Sequence, residues 1–265
     1  MEFADWDLDQ IHELETLQAK ALRTCLNADL QCPQASLRLF SGVEPLEARR
    51  DLLTLLYYAK LCNYDKDSLP GMVHRSRSTK NSMPVGFHCS VRRILSKYGM
   101  EQYWDSIPDI PHDELISVLK KPIWLYHWFK DVASCSHRDS PFSIAFIRRA
   151  LPPIWPYKTS YFMKRVIPMD VSHTARASLL RFWLTPSRQR ICTCGFTTNN
   201  LPKHLINDCP KTRDSMALYL QDLSSELQAS FDPSNFSMFL NRIASSSELL
   251  VNFNRVISKF EYPLF

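Results

Sequence analysis

The sequence predicts a mainly α protein, and three observations carry that expectation. Apolar residues recur at helical spacing in one segment after another. Five glycines against seventeen prolines in 265 residues suit helices cut into lengths by proline. No run of alternating apolar and polar residues reads as a strand. Hydrophobic residues make up 45% of the chain, including fifteen Phe, ten Tyr and six Trp, so there is enough apolar surface to bury a core.

Taken in order, Leu8, Ile11, Leu14, Leu17, Ala21 and Leu22 place a helix over residues 8–26. A second spans Glu44 to Cys62, with Pro45 in the first turn and "SG" as the preceding break. Its dense apolar content buries most of it and leaves Arg49, Arg50 and Asp51 on the wet side. Residues 63–90, polar and punctuated by Pro and Gly, read as a basic loop. "SVRRILSKYG" is a short helix capped by Gly99. "HDELISVLKKPIWLYHWFKDVA" (112–133) is helical with Pro122 as a kink or break, and Asp113 and Glu114 suit its positive end better than a carboxylate site shared with Asp109. Further helices follow over 140–151, 172–184, 211–231, 233–244 and 245–260, the last capped by Ser247 or a neighbour.

The opening "MEFADWDLDQIHELETL" is acidic and lacks the basic start and apolar run of a signal peptide. The longest apolar stretch, "PIWLYHWF", is far shorter than the roughly twenty residues that span a bilayer. A protein of the nucleus or cytoplasm, not secreted and not in a membrane, with reduced cysteines, is therefore expected. Net charge is +5 but uneven. Residues 1–30 hold seven acidic and two basic side chains, residues 68–100 six basic and no acidic, and residues 138–190 ten basic against two Asp.

Clustered cations gain free energy by displacing counterions from a phosphate backbone, which makes RNA or DNA the expected partner and Lys164 and Arg165 candidate contacts. The same runs could form a solvated face. Trp155, Tyr157, Tyr161, Phe162, Phe182 and Trp183 lie among them, either to stack on unpaired bases or to fill a core.

Three of the eight cysteines fall in "CTCGFTTNNLPKHLINDC", with the spacing Cys192-x-Cys194-x9-His204-x4-Cys209. A Cys3His set is a usual structural zinc arrangement, and four protein ligands leave no open position for catalysis. Gly195 allows a tight turn, "LPKHLIND" a short helix, and Pro210 ends it so that Cys209 can return toward the ion. The alternative is a group of buried thiols beside an ordinary histidine, in a helical module that binds other proteins. Cys89 beside His88, and Cys135 near His137, suggest a Cys/His enzyme only weakly, because no orienting third group is evident.

Two stretches together resemble the part of non-LTR (LINE-type) retrotransposon reverse transcriptases that follows the polymerase core. The first is "ALRTCLNADLQCPQASLRLFSGVEPLEARRDLLTLLYYAKL" (21–61), with Gly42, Pro45, Leu46, Arg49 and Arg50 at the matching places. The second is "TARASLLRFWLTPSRQRICTCG…HLINDCP" (174–210), a basic helix leading into a zinc knuckle that ends in Cys-Pro. The resemblance covers under a third of the chain. It implies that Cys192, Cys194, His204 and Cys209 are knuckle ligands, with Arg176, Arg181, Arg188, Arg190 and Lys203 beside them for phosphate. Lys203 stands where the family often has an acidic residue.

No Asp-Asp pair for a two-metal polymerase centre occurs in the chain, and residues 63–173 lack a ribonuclease H pattern, so no catalysis is expected. The resulting expectation is an irregular helical domain, then a small Cys/Cys/His/Cys zinc knuckle, then a C-terminal helical segment. By residue number these divide into a thumb/linker-like segment (1–62), a basic proline-punctuated region (63–170), a basic helix with the knuckle (171–212) and C-terminal helices (213–265).

Overall fold

The computed structural model describes residues 8–65, 67–78, 86–104, 107–108, 110–136, 140–147, 157, 172–185, 189–221 and 235–258. It is mainly helical. Helix α1 (Leu8–Leu26) opens on Asp9 and closes on Arg23, charges that suit the helix dipole at each end. Asn27, in the left-handed conformation, ends it, and the Ala28 N–H donates to the Arg23 carbonyl at 2.9 Å.

The chain divides into two units, each discontinuous in sequence. One comprises Met1–Gln18, Glu44–Phe129 and Ile154–Pro156; the other comprises Ala19–Val43, Lys130–Pro153 and Tyr157–Phe265. Both cut across the four consecutive segments read from the sequence.

In the first unit, α3 (Leu46–Cys62) packs against α4 (Leu69–Ser78) and α5 (Phe87–Lys97). Ala48, Leu52, Leu55, Val91, Ile94, Leu95, Leu115, Leu119 and Ile123 form its core. Helix α4 occupies what the sequence suggested was loop. Pro70 stands in its first turn, where a missing N–H is harmless, and the Ser68 hydroxyl accepts from the Gly71 N–H at 3.3 Å. Helix α5 starts at Phe87 and gives way to Gly99, whose φ of 66° makes it the expected left-handed cap.

Helix α6 (His112–Ser136) continues through Pro122, with Asp113 and Glu114 in its first turn. An interior proline costs about 3 kcal/mol. Burying Leu119, Ile123 and Trp124 at about 1.5–3 kcal/mol each outweighs that cost, so the helix neither breaks nor stops.

Asp51, expected on the wet side of α3, is instead fully buried, whereas its neighbour Arg49 is exposed. Its carboxylate accepts from Lys97 Nζ (3.1 Å), Arg50 Nε (3.1 Å) and the Tyr98 hydroxyl (2.7 Å). Tyr98 has one proton to give and gives it to Asp51, so His127 Nε2, 2.8 Å away, donates to the Tyr98 oxygen. Lys97 also reaches Glu47 at 2.6 Å.

In the second unit, α2 (Gln34–Ser41), unforeseen in the sequence, contributes Leu37 and Phe40 to the core. A π-helical turn (Ser143–Ile147) lies in the segment expected as ordinary helix and packs on α10 (Phe236–Ser245). Helix α7 (His173–Leu184), capped by Ser172, packs on α11 (Ser247–Ile257), which Ser246 caps, and so does α9 (Arg213–Gln221).

Phe182 and Trp183 of α7 are completely buried against Phe146 and Phe253, with ring centroids 5.4–6.2 Å apart in the pairs they form. Of the two roles open to them, the core is the one they fill. Tyr157 is also buried, its hydroxyl donating to Asp131, which pairs with Arg38. Trp155, Tyr161 and Phe162 lie outside the described residues. Among the described residues no helix is long and apolar enough to cross a membrane.

Candidate metal centre

The Cys/His segment folds as a hairpin followed by one short helix. Strand β1 (Arg190–Ile191) pairs antiparallel with β2 (Thr197–Thr198), in the register Arg190 with Thr198 and Ile191 with Thr197. These strands were not expected from the sequence, because two residues each are too few to show an alternation. The turn between them is tight: Cys192 N–H donates to the Phe196 carbonyl and Gly195 N–H to the Cys192 carbonyl, both at 2.8 Å.

Gly195 sits at φ 89°, a region L side chains rarely adopt, although a Cβ there would meet nothing within 4 Å. Gly195→Ala is therefore expected to cost about 1–2 kcal/mol from backbone strain alone. Hydrogen exchange of the hairpin amides reads that cost, and unchanged protection would contradict it.

Helix α8 (Leu201–Asn207) has Pro202 in its first turn and the Asn200 side chain as cap, accepting from Lys203 N–H at 3.0 Å. His204 thereby falls on the first turn, facing inward and buried. After Asn207 the chain folds back, with Cys209 N–H on the His204 carbonyl at 2.8 Å. Thr212 Oγ1 donates to the Leu205 carbonyl and holds the return in place.

The result brings one ligand atom from each of Cys192, Cys194, His204 and Cys209 within 4.8 Å of one another. Cys192 Sγ lies 3.7 Å from Cys209 Sγ, and Cys194 Sγ lies 3.3 Å from His204 Nε2. Tetrahedral ligation with metal–sulfur bonds of about 2.3 Å puts two sulfurs about 3.8 Å apart. The four residues fit such an ion and could hold one. His204 Nδ1 is buried and finds no hydrogen-bond partner among the described residues. The ring is steadied instead by Phe196, stacked on it at 5.1 Å with an interplanar angle of 13°.

The thiols differ in acidity. Burial pushes Cys192 up to about 11. Cys194, which accepts the Phe196 N–H and lies beside His204, is held down at about 7. A cation at this point would favour thiolates throughout.

The basic residues picked out by sequence are placed differently from one another. Arg176 and Lys203 are exposed. Arg181 is half-buried and donates to Asn27 Oδ1 at 3.1 Å. Arg190 is buried and ion-paired with Asp29, so it anchors the hairpin and does not face a phosphate. Arg188, Lys164 and Arg165 lie outside the described residues. Two exposed apolar side chains in the hairpin went unnoticed in the sequence: Ile191, 66% exposed, and Phe196, 59% exposed. A phenylalanine directly after the glycine of the turn was the available signal.

Of the remaining Cys/His pairs, only Cys89 with His88 lies wholly within the described residues. His88 faces His74 at 3.0 Å, while Cys89 is exposed. His74 also lies 3.6 Å from Cys62, whose thiol is pushed up by burial and so stays protonated. Cys135 is buried against the Ser36 hydroxyl, and His137 lies outside the described residues. Comparison with family models, curated proteins and solved structures finds no match to the chain.

Proposed function

We propose that this chain is a nucleic-acid-binding module in which a structural zinc ion holds residues 190–212 in shape. The observation that carries the reading is the convergence of Cys192, Cys194, His204 and Cys209, with donor atoms within 4.8 Å of one another. Zinc is the ion that a thiolate-rich tetrahedral set suits best. Four protein donors leave no position for a reactive water, so the centre is structural and the module catalyses nothing by itself. Exposed Lys203 and Arg176, in a chain of net charge +5, support a polyanionic partner.

The resemblance to the C-terminal region of LINE-type reverse transcriptases supports the same reading, with a retroelement transcript or its target as the RNA or DNA and the nucleus or cytoplasm as the setting. Affinity is then mainly electrostatic. If Arg176, Arg181 and Lys203 each neutralise one phosphate, the logarithm of the binding constant falls against the logarithm of salt with a slope of about −2 for single strands. Fluorescence anisotropy of a labelled oligonucleotide between about 50 and 300 mM salt measures it. A flat response, or no binding, ends the proposal. A metal-free chain that binds protein partners through its helices is the rival reading, and elemental analysis separates the two.

A further inference from the structure

The Cys/His segment leaves an aromatic ring exposed in its hairpin turn. Phe196 is 59% exposed, although a buried aromatic core lies in the same unit. Its backbone is fixed on both sides, the carbonyl accepting from Cys192 N–H at 2.8 Å and the N–H donating to the Cys194 sulfur. One face of the ring lies on the His204 imidazole at 5.1 Å and 13°, so the exposure falls on the opposite face and the edge. Ile191, 66% exposed, adds an apolar side chain on the paired strand. Lys203, directly before His204 on α8, is exposed, as are Lys211 and Arg213 just beyond Cys209.

An exposed aliphatic residue would offer only area. A rigid ring with one covered face and one open face offers a plane, and exposed cations nearby suit the phosphates on either side of whatever lies on it. We propose that the open face of Phe196 is the stacking platform for one unpaired nucleobase of a single strand, with Lys203 contacting the adjoining phosphate. The inference rests on the nucleic-acid reading above and specifies its ligand: single-stranded, with a base exposed, and little base preference, because every base has a π-face.

The experiment uses the full chain and a labelled single-stranded oligonucleotide of about twelve nucleotides, at about 100 mM salt. Phe196→Leu keeps an apolar cover over His204 but removes the ring. It is expected to weaken binding about 5- to 150-fold, the range for losing one base–aromatic stack. Phe196→Trp is expected to restore binding. Metal content and the salt slope stay unchanged in both variants, since no ligand and no cation is altered.

A readout on the unaltered protein accompanies these: an oligonucleotide of the same length lacking all bases binds the wild type more weakly, and binds Phe196→Leu as the normal strand does. Equal affinity of wild type and Phe196→Leu, or a preference for duplex over single strand, overturns the platform and leaves the electrostatic reading standing. No binding of any oligonucleotide by the wild type overturns both.

Discussion

On the proposed metal-bound form, Cys209→Ser is expected to strip the ion from the Cys/His cluster and melt residues 190–212, while the aromatic core of the same unit stays folded. The segment has little else to hold it. Its strands are two residues each and its helix seven. Isolated hairpins are marginal in water, and so are helices shorter than roughly a dozen residues. Leu201, Leu205 and Ile206 are buried, and the Arg190–Asp29 pair adds one tie, but neither amounts to an independent core.

A structural zinc ion contributes on the order of 10 kcal/mol to such a site. That is comparable with the whole stability of a domain. Elemental analysis should find metal in the wild type and not in the variant, and hydrogen exchange should show protection lost over 190–212 alone. Metal retained by Cys209→Ser, or by Cys194→Ser, would mean that the ligand set is wrong.

Acid should have the same effect as substitution. The ion needs thiolates, and protons compete for them: most strongly at Cys192, pushed up to about 11, and less at Cys194, held at about 7. Retention therefore falls as pH falls, and bound metal measured along an acid titration should decrease.

Asp51→Ala is the second large effect, and it acts in the other unit. The substitution removes a fully buried carboxylate that serves Lys97, Arg50 and Tyr98 at once. Deleting one partner of a fully buried ion pair costs about 3–5 kcal/mol; here Lys97 and Arg50 are about a quarter exposed and Lys97 keeps Glu47, so the cost falls toward the low end of that range. Asp51→Asn keeps the shape and one acceptor and should cost less. Tyr98→Phe removes one hydrogen bond, at about 1–2 kcal/mol.

The pH dependence has a definite sign. Burial alone would raise the Asp51 carboxyl, but the Lys97 charge, the Tyr98 hydrogen bond and Arg50 hold it below its ordinary value. Glu47 is held down likewise, chiefly by Lys97. A depressed folded value gives stability above the unfolded value near pH 4, and that stability is lost as pH falls through the folded one. Thermal melts from pH 7 to about 2 should fall steeply at the acid end for wild type and less steeply for Asp51→Asn. Melting of Asp51→Ala that matches wild type would show the network to be unimportant.

What was legible in the sequence was local. Helical spacing announced α1, α3, most of α6, α7, α10 and α11, because each buries one face of its own. The candidate metal ligands were legible for the same reason: all four lie within eighteen residues, so a turn at Gly195, a cap at Asn200 and a stop at Pro210 suffice to gather them. Misreadings began where local and distant forces compete. The proline in α4 read as part of a loop and that in α6 as a kink or break, but one sits in a first turn and the other inside a helix that continues through it. Runs of charge were the least legible of all. Of "RRD" in α3, read as the wet side, Arg49 is exposed but Asp51 is interior, and Arg190, read as a phosphate contact, is buried.

The sequence by itself thus determined the helical class and the four residues that could bind a metal. Only the tertiary structure decided that Asp51 and Arg190 are interior, because their partners come from elsewhere in the chain: Lys97 from the end of α5 and Tyr98 directly after it, and Asp29 from the connection after α1. It also decided that Phe182 and Trp183 are core while Phe196 faces water. The physical reason is that periodicity encodes which side of a helix is buried, whereas the pairing of a charge or the covering of a ring depends on what distant chain folding brings against it.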